Sequence, residues 1–163
     1  MNFVKDFNKI SKKDISIAGG KGANLGEMTK AKIPVPSGFV VLTSAFERFL
    51  EKTDINVEIE AMWNRINIED IESVEENLEI VRDLILEGEM PEEIKKEIFN
   101  AYDNLREYCS NKTRISTQIK KRIRDNFFVA VRSSATAEDS KIDSWAGELE
   151  TYLNATRENL IDN

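Results

Sequence analysis

Apolar residues recur at helical spacing through the middle of the chain and cluster in short runs nearer its ends, a pattern that predicts central helices flanked by strands. Ile59, Met62, Trp63 and Ile66 form one helical stripe, and Ile71, Val74, Leu78, Val81 and Ile85 a second. Ile94, Ile98, Ala101, Leu105 and Tyr108 form a third. Gly88 is a natural terminator for the second helix. Pro91, Glu92 and Glu93 suit the first turn of the third, because proline has no amide to waste there and carboxylates favour the positive end of the helix dipole. Gly38 to Leu42 reads as a short apolar strand, reached through Ile33-Pro34-Val35-Pro36, whose prolines forbid helix. Thr43 or Ser44 can cap a following helix that carries Ala45, Phe46, Phe49 and Leu50. Phe127 to Val131 is a second strand, apolar enough to be central in a sheet, and residues 148 to 153 a third, alternating through Leu149, Thr151 and Leu153. The expected fold class is α+β. Residues 1–53 and 127–163 supply the sheet-forming ends, and 54–126 a helical insertion between them.

Charge follows the same segmentation. Residues 54 to 108 carry 17 Asp/Glu against 5 Lys/Arg, whereas residues 109 to 132 carry 7 Lys/Arg against a single acid. The acidic faces of the central helices read as solvated surface, with a partner-docking surface as the alternative. Lys120, Lys121, Arg122 and Arg124 read as an exposed basic stretch ahead of the next strand, or as a flank to a phosphate site. The net charge of -7 argues against nucleic acid and anionic membrane as partners, since both need concentrated positive charge. At 163 residues one domain is expected, able to bury roughly two-thirds of its unfolded surface. No run approaches the roughly 18 apolar residues of a membrane span. Cys109 is the single cysteine, so no intrachain disulfide can form; it reads as a small buried hydrophobe, and a cytoplasmic location fits.

The chain has no histidine. That removes Ser-His-Asp triads, Cys-His dyads, His-bearing zinc sites and phosphohistidine carriers, and leaves Lys, Arg, carboxylates and backbone amides for any chemistry. Two segments concentrate such groups. Gly19-Gly20-Lys21-Gly22-Ala23-Asn24-Leu25-Gly26 places glycines and a lysine where a helix should begin. Backbone amides, the helix dipole and the Lys21 charge there would favour a phosphate, although a tight turn before a helix explains the glycines equally well. Arg132 ends the strand of residues 127 to 131, beside the hydroxyls of Ser133, Ser134 and Thr136. A planar guanidinium and hydroxyl donors match phosphate oxygens. Glu138 and Asp139 could pair with Arg132 or orient a cation, and Gly147 could admit a ligand or simply bend the chain.

At these two motifs the sequence resembles the N-terminal nucleotide-binding domain of phosphoenolpyruvate synthase and its relatives, pyruvate phosphate dikinase and rifampicin phosphotransferase. Gly19 to Glu27, Ile33-Pro34-Val35-Pro36-Ser37-Gly38-Phe39, Val129 to Asp139, Ala146-Gly147 and Glu150 to Asn154 follow that family in order. The resemblance implies part of an ATP-grasp fold. It implies that Lys21 and Arg132 contact ATP phosphates, and that Gly147 and Thr151 belong to a loop and strand closing over them. It implies ATP and Mg²⁺ as cofactors, with the metal ligands outside this chain. Its enzymes pass the β-phosphoryl group of ATP to a histidine on a swivelling domain, which then phosphorylates pyruvate or a drug. Such transfer depends on positioning and charge neutralisation.

Three departures stand out. Ser140-Lys141 replaces the family's usual Leu-Pro, Trp145 its usual Phe, and Glu148 its common Gln; the last puts a negative charge near the phosphate site and would weaken it. The phosphohistidine and acceptor-binding domains are expected on a longer parent, so the chain alone should not complete the reaction. A stand-alone nucleotide-sensing or protein-docking module, using the acidic helices as its interaction surface, is the alternative expectation.

Overall fold

The structure, a computed structural model, describes residues 2–112, 117–136 and 151–162. It is a mixture of helix and strand. A short strand β1 (Val4–Asp6) is followed by two 3-10 turns (Phe7–Lys9 and Lys12–Asp14) and helix α1 (Ile15–Lys30). Then come β2 (Phe39–Val41), α2 (Thr43–Thr53), α3 (Asn56–Trp63), α4 (Ile71–Glu87), α5 (Glu92–Lys112), α6 (Thr117–Asp125), β3 (Val129–Arg132) and β4 (Thr151–Ala155). β1 pairs antiparallel with β2 and β3 antiparallel with β4, as two separate two-stranded sheets.

The chain forms two compact units, one made of Met1–Ser44 with Glu93–Asn163 and the other of Ala45–Glu92. In the first, Ile10, Ala18, Val40 and Leu42 make a buried cluster with Phe7 packed against it. α5 lays Ile94, Ile98 and Tyr102 into the interior at four-residue spacing, so one helical face is buried. Glu97 on that helix accepts the Phe3 amide at 2.7 Å, tying β1 to α5. Tyr102 donates its hydroxyl to the Phe127 carbonyl at 2.6 Å, and its ring meets Phe127 edge-on at 5.5 Å. Burial pushes the Tyr102 phenol up, which keeps it a donor. Asp103 accepts from Arg157 at 3.1 Å, and that guanidinium lies 4.4 Å from the Phe99 ring centre. Thus α5 supports the chain just before β3 and just after β4.

Several expectations need correction. Trp63, Ile71 and Leu78 are exposed, and α3 and α4 bury no residue completely; Ile59, Met62, Val74, Val81 and Ile85 are half-buried. Eight residues of α3 and seventeen of α4 pack on each other in a unit too small to enclose both stripes. The strand expected to be central has, among the described residues, β4 as its single neighbour, and it begins at Val129 instead of Phe127. Phe127 instead serves as a seat for Tyr102. Leu153 is 70% exposed, so the alternation expected of β4 does not point it inward. The basic stretch lies on helix α6, with Lys121, Arg122 and Arg124 exposed, and Cys109 is half-buried in α5. β1 escaped the sequence reading because its single apolar residue, Val4, makes no period, and α6 because its segment was read for its basic residues alone although Ile119 and Ile123 stand at helical spacing.

α1 ends in a hydrogen-bonded wrap. Lys32, at φ 59°, donates to Thr29 and Ile33 donates to Met28, so the last carbonyls are satisfied with a lysine in the left-handed position usually given to glycine. The 3-10 turn Lys12–Asp14 that leads into α1 is held by a capping box in which the Ser11 amide and hydroxyl both donate to Asp14 at 2.8 Å, while the Lys5 ammonium lies 2.9 Å from the other carboxylate oxygen. Lys5, then the Ser11 hydroxyl and amide, lower the Asp14 pKa from 3.8 to about 2. A depressed carboxyl contributes stability that is complete above its unfolded pKa and is lost as pH falls through the folded one. Asp14→Asn is therefore expected to be less stable than wild type at neutral pH, with the gap closing between about pH 4 and about pH 2. Urea midpoints measured across that range check this; a gap independent of pH would show that the Asp14 charge is not its source.

Candidate functional site

β3 alternates between half-buried Val129 and Val131 and exposed Ala130 and Arg132. The register places Arg132 directly opposite Thr151 on β4, so these two predicted site residues share one face of the ribbon. The ladder slips between Val129 and Val131, where β4 contains one extra residue, and Asn154 takes φ 59° there. Such a bulge strengthens local twist, and asparagine tolerates the left-handed conformation better than most residues.

α1 is not continuous. Gly19 has φ 72° and ψ 168°, which breaks the helix into a first turn at Ile15 to Ala18 and a second segment beginning at Gly20. The segment after β3 docks on this break. The Ser134 hydroxyl donates to the Ala18 carbonyl at 2.7 Å and accepts from the Gly22 amide at 2.9 Å. The Gly20 amide donates to the Ala135 carbonyl at 3.2 Å. Residues 112 to 116 positions apart in sequence are thereby joined, and Lys21 stands between two residues that are each bonded to the segment following Arg132.

This geometry revises the reading of the glycines and the hydroxyls. The Gly20 and Gly22 amides are not open to an anion, because Ala135 and Ser134 take them. Ser134 has committed its one proton to Ala18, so it cannot donate to phosphate while that bond stands. Gly26 faces the core from within the helix, and a Cβ there would come within 2.5 Å of the Ile10 carbonyl oxygen, so close packing accounts for that glycine. Thr136 is exposed.

Ser133 presents the contrasting case. Its hydroxyl oxygen is buried and has no hydrogen-bond partner among the described residues. A buried unsatisfied hydroxyl costs about 1–3 kcal/mol, so an incoming acceptor such as a phosphate oxygen fits it. Lys21 is half-buried and Arg132 exposed. Gly147, Glu138, Asp139, Ser140, Lys141, Trp145 and Glu148 lie outside the described residues. Among the described residues no group of three or more acidic or cysteine side chains could hold a metal ion, and no helix is long and apolar enough to cross a membrane.

Lys21 on α1, Arg132 at the end of β3 and the Ser133 hydroxyl belong to segments that the Ser134 and Ala135 bonds join, and these residue types suit a polyphosphate. Ammonium and guanidinium groups give phosphate oxygens positive charge and N–H donors, so residues of these types can bind, orient and neutralise. The joining contacts were invisible in the sequence, because a serine more than a hundred residues away carries no local signal for the glycine it meets.

Comparison with known proteins gives the relationship. The profile of the pyruvate phosphate dikinase AMP/ATP-binding domain matches residues 15–163. A probable phosphoenolpyruvate synthase of Methanocaldococcus jannaschii is 40% identical over 94% of this chain and 12% of its own length. One from Archaeoglobus fulgidus is 42% identical over 93% of this chain and 18% of its own length. The phosphoenolpyruvate synthase of Pyrococcus furiosus is 35% identical over 93% of this chain and 21% of its own length. The chain therefore spans only 12% to 21% of these relatives.

Proposed function

The chain belongs to the pyruvate phosphate dikinase AMP/ATP-binding domain family, and on that premise we propose that it is the ATP-binding part of a phosphoenolpyruvate synthase-like phosphotransferase, built on part of an ATP-grasp fold. The observation that carries the reading is the junction at Ser134 and Ala135, which ties the Lys21 segment to the loop that follows Arg132. Lys21 and Arg132 neutralise ATP phosphates, the Ser133 hydroxyl donates to a phosphate oxygen, and Thr151 holds the strand opposite Arg132. Gly147 is assigned by family resemblance to the loop that closes over the phosphates. In this division residues 1–53 and 127–163 carry the phosphate-facing segments, and 54–126 the acidic helices.

ATP supplies the phosphoryl group, and the work of these residues is to hold its charge in place. Charge neutralisation and alignment are what phosphoryl transfer asks of a protein. The chain has no histidine to receive the group. The acceptor is a carrier histidine on another domain, which a parent several times longer has room to contain. Mg²⁺ would be held by acids outside this chain. A cytoplasmic location suits a chain with one cysteine.

The test is an ATP titration of the natural polypeptide that carries this sequence, alongside Lys21→Ala and Arg132→Ala variants. Saturable binding weakened in both supports the reading. Absence of ATP binding, or equal affinity in all three proteins, overturns it.

A further inference from the structure

In an uninterrupted helix the Ala18 carbonyl would accept directly from the Gly22 amide, four residues on. Here those two groups are instead bridged by one atom from elsewhere in the chain, the Ser134 Oγ, which donates to the first and accepts from the second. A hydroxyl inserted into the ladder is a recognised cause of helix kinks, and Gly19 supplies the backbone conformation the gap requires. Gly20, whose amide would otherwise bond to the Ser16 carbonyl, turns to Ala135.

We propose that Ser134 is the positioning residue of the phosphate site, a wedge that holds the break at Gly19 open and so sets the direction in which Lys21 leaves the helix relative to Arg132. Successive helical residues are turned by about 100° around the axis. Closing the break changes the turn at Gly19 and redirects every side chain that follows relative to the first turn. Lys21 is only two residues beyond the break, and Arg132 only two residues before the wedge, so one hydroxyl couples the two cations. The inference rests on the reading that Lys21 and Arg132 hold ATP phosphates.

Ser134→Ala removes the wedge without adding bulk. Its effect on ATP affinity is measured in the natural polypeptide by a double-mutant cycle with Lys21→Ala, using Tyr102→Phe as a control that removes a different buried hydroxyl bond beneath β3. Ser134→Ala is expected to weaken ATP binding about tenfold in the wild-type background and less than about threefold when Lys21 is already alanine. Any effect of Tyr102→Phe should be the same in both backgrounds. Equal losses from Ser134→Ala in the two backgrounds, or no loss in either, overturn the proposal. Carbon-13 shifts of Ala18, Gly19 and Gly20 judge the wedge without nucleotide: movement to helical values in Ser134→Ala supports it, and unchanged shifts refute it. If the wild type binds no ATP while those shifts move, the ATP reading fails and the wedge survives as a feature of the fold alone.

Discussion

Gly19→Ala should lower the stability of the fold by about 3–5 kcal/mol, the largest stability effect expected from any single substitution discussed for this chain. Two costs combine. At φ 72° and ψ 168° the backbone occupies a region open essentially to glycine alone, and forcing another residue into it costs of order 1–3 kcal/mol. A Cβ would also overlap the Ser134 carbonyl and hydroxyl oxygens, the latter fixed by its bonds to Ala18 and Gly22. Relief of the overlap means releasing the loop after β3. For a chain of this size each kcal/mol lowers the melting temperature by about 2–4 °C, so a drop of about 10 °C is expected. Asn24→Ala, on an exposed position of the same helix, should stay within about 0.5 kcal/mol of wild type. Calorimetry of the three proteins decides the matter; a Gly19→Ala loss below about 1 kcal/mol would mean that the junction is not held as described.

Lys21→Ala and Arg132→Ala should each weaken ATP binding by about 1.5–3 kcal/mol, roughly 10- to 150-fold, because each removes a charge-assisted contact to phosphate. Arg132→Lys should recover only part of the loss, since an ammonium cannot reproduce a planar two-pronged fork. The penalty for Arg132, which is exposed, should shrink as salt rises, whereas half-buried Lys21 should be screened less. Titrations at two ionic strengths separate the two. A variant with unchanged affinity loses its place among the phosphate contacts, and both unchanged would remove the site.

Much of the secondary structure was readable from local pattern. α4 and α5 run where apolar residues recur at helical spacing, and α5 starts directly after Pro91 as a proline-and-acid first turn requires. β2 lies inside the apolar run that follows Pro34 and Pro36. The candidate cations were legible for a similar reason, since Lys21 and Arg132 stand out against glycines and an apolar strand. The exposure of Trp63 and Leu78 was not, because periodicity identifies a helix face but cannot say whether anything covers it. β1 was illegible because Val4-Lys5-Asp6 carries a single apolar residue, whereas β2, equally short, lies in an apolar run.

The glycines mark the limit most clearly. Local sequence places a helix start at the Gly19 segment, whereas α1 begins at Ile15 and Gly19 breaks it, a conformation that glycine alone enters cheaply. Which amides then remain open depends on what approaches from a distance, and Ser134 and Ala135 close two of them. From the sequence by itself came the mixed helix-and-strand character, the absence of histidine chemistry and the two phosphate-like motifs, all of which rest on residue type and on spacing within a dozen positions. Tertiary structure alone decided that the Ser134 hydroxyl is spent on Ala18 and Gly22, that Ser133 has a buried hydroxyl unpaired among the described residues, and that Arg132 faces Thr151. Each of these is a contact made or missed between segments far apart in the chain, and such a contact depends on where two atoms meet, which local sequence does not encode.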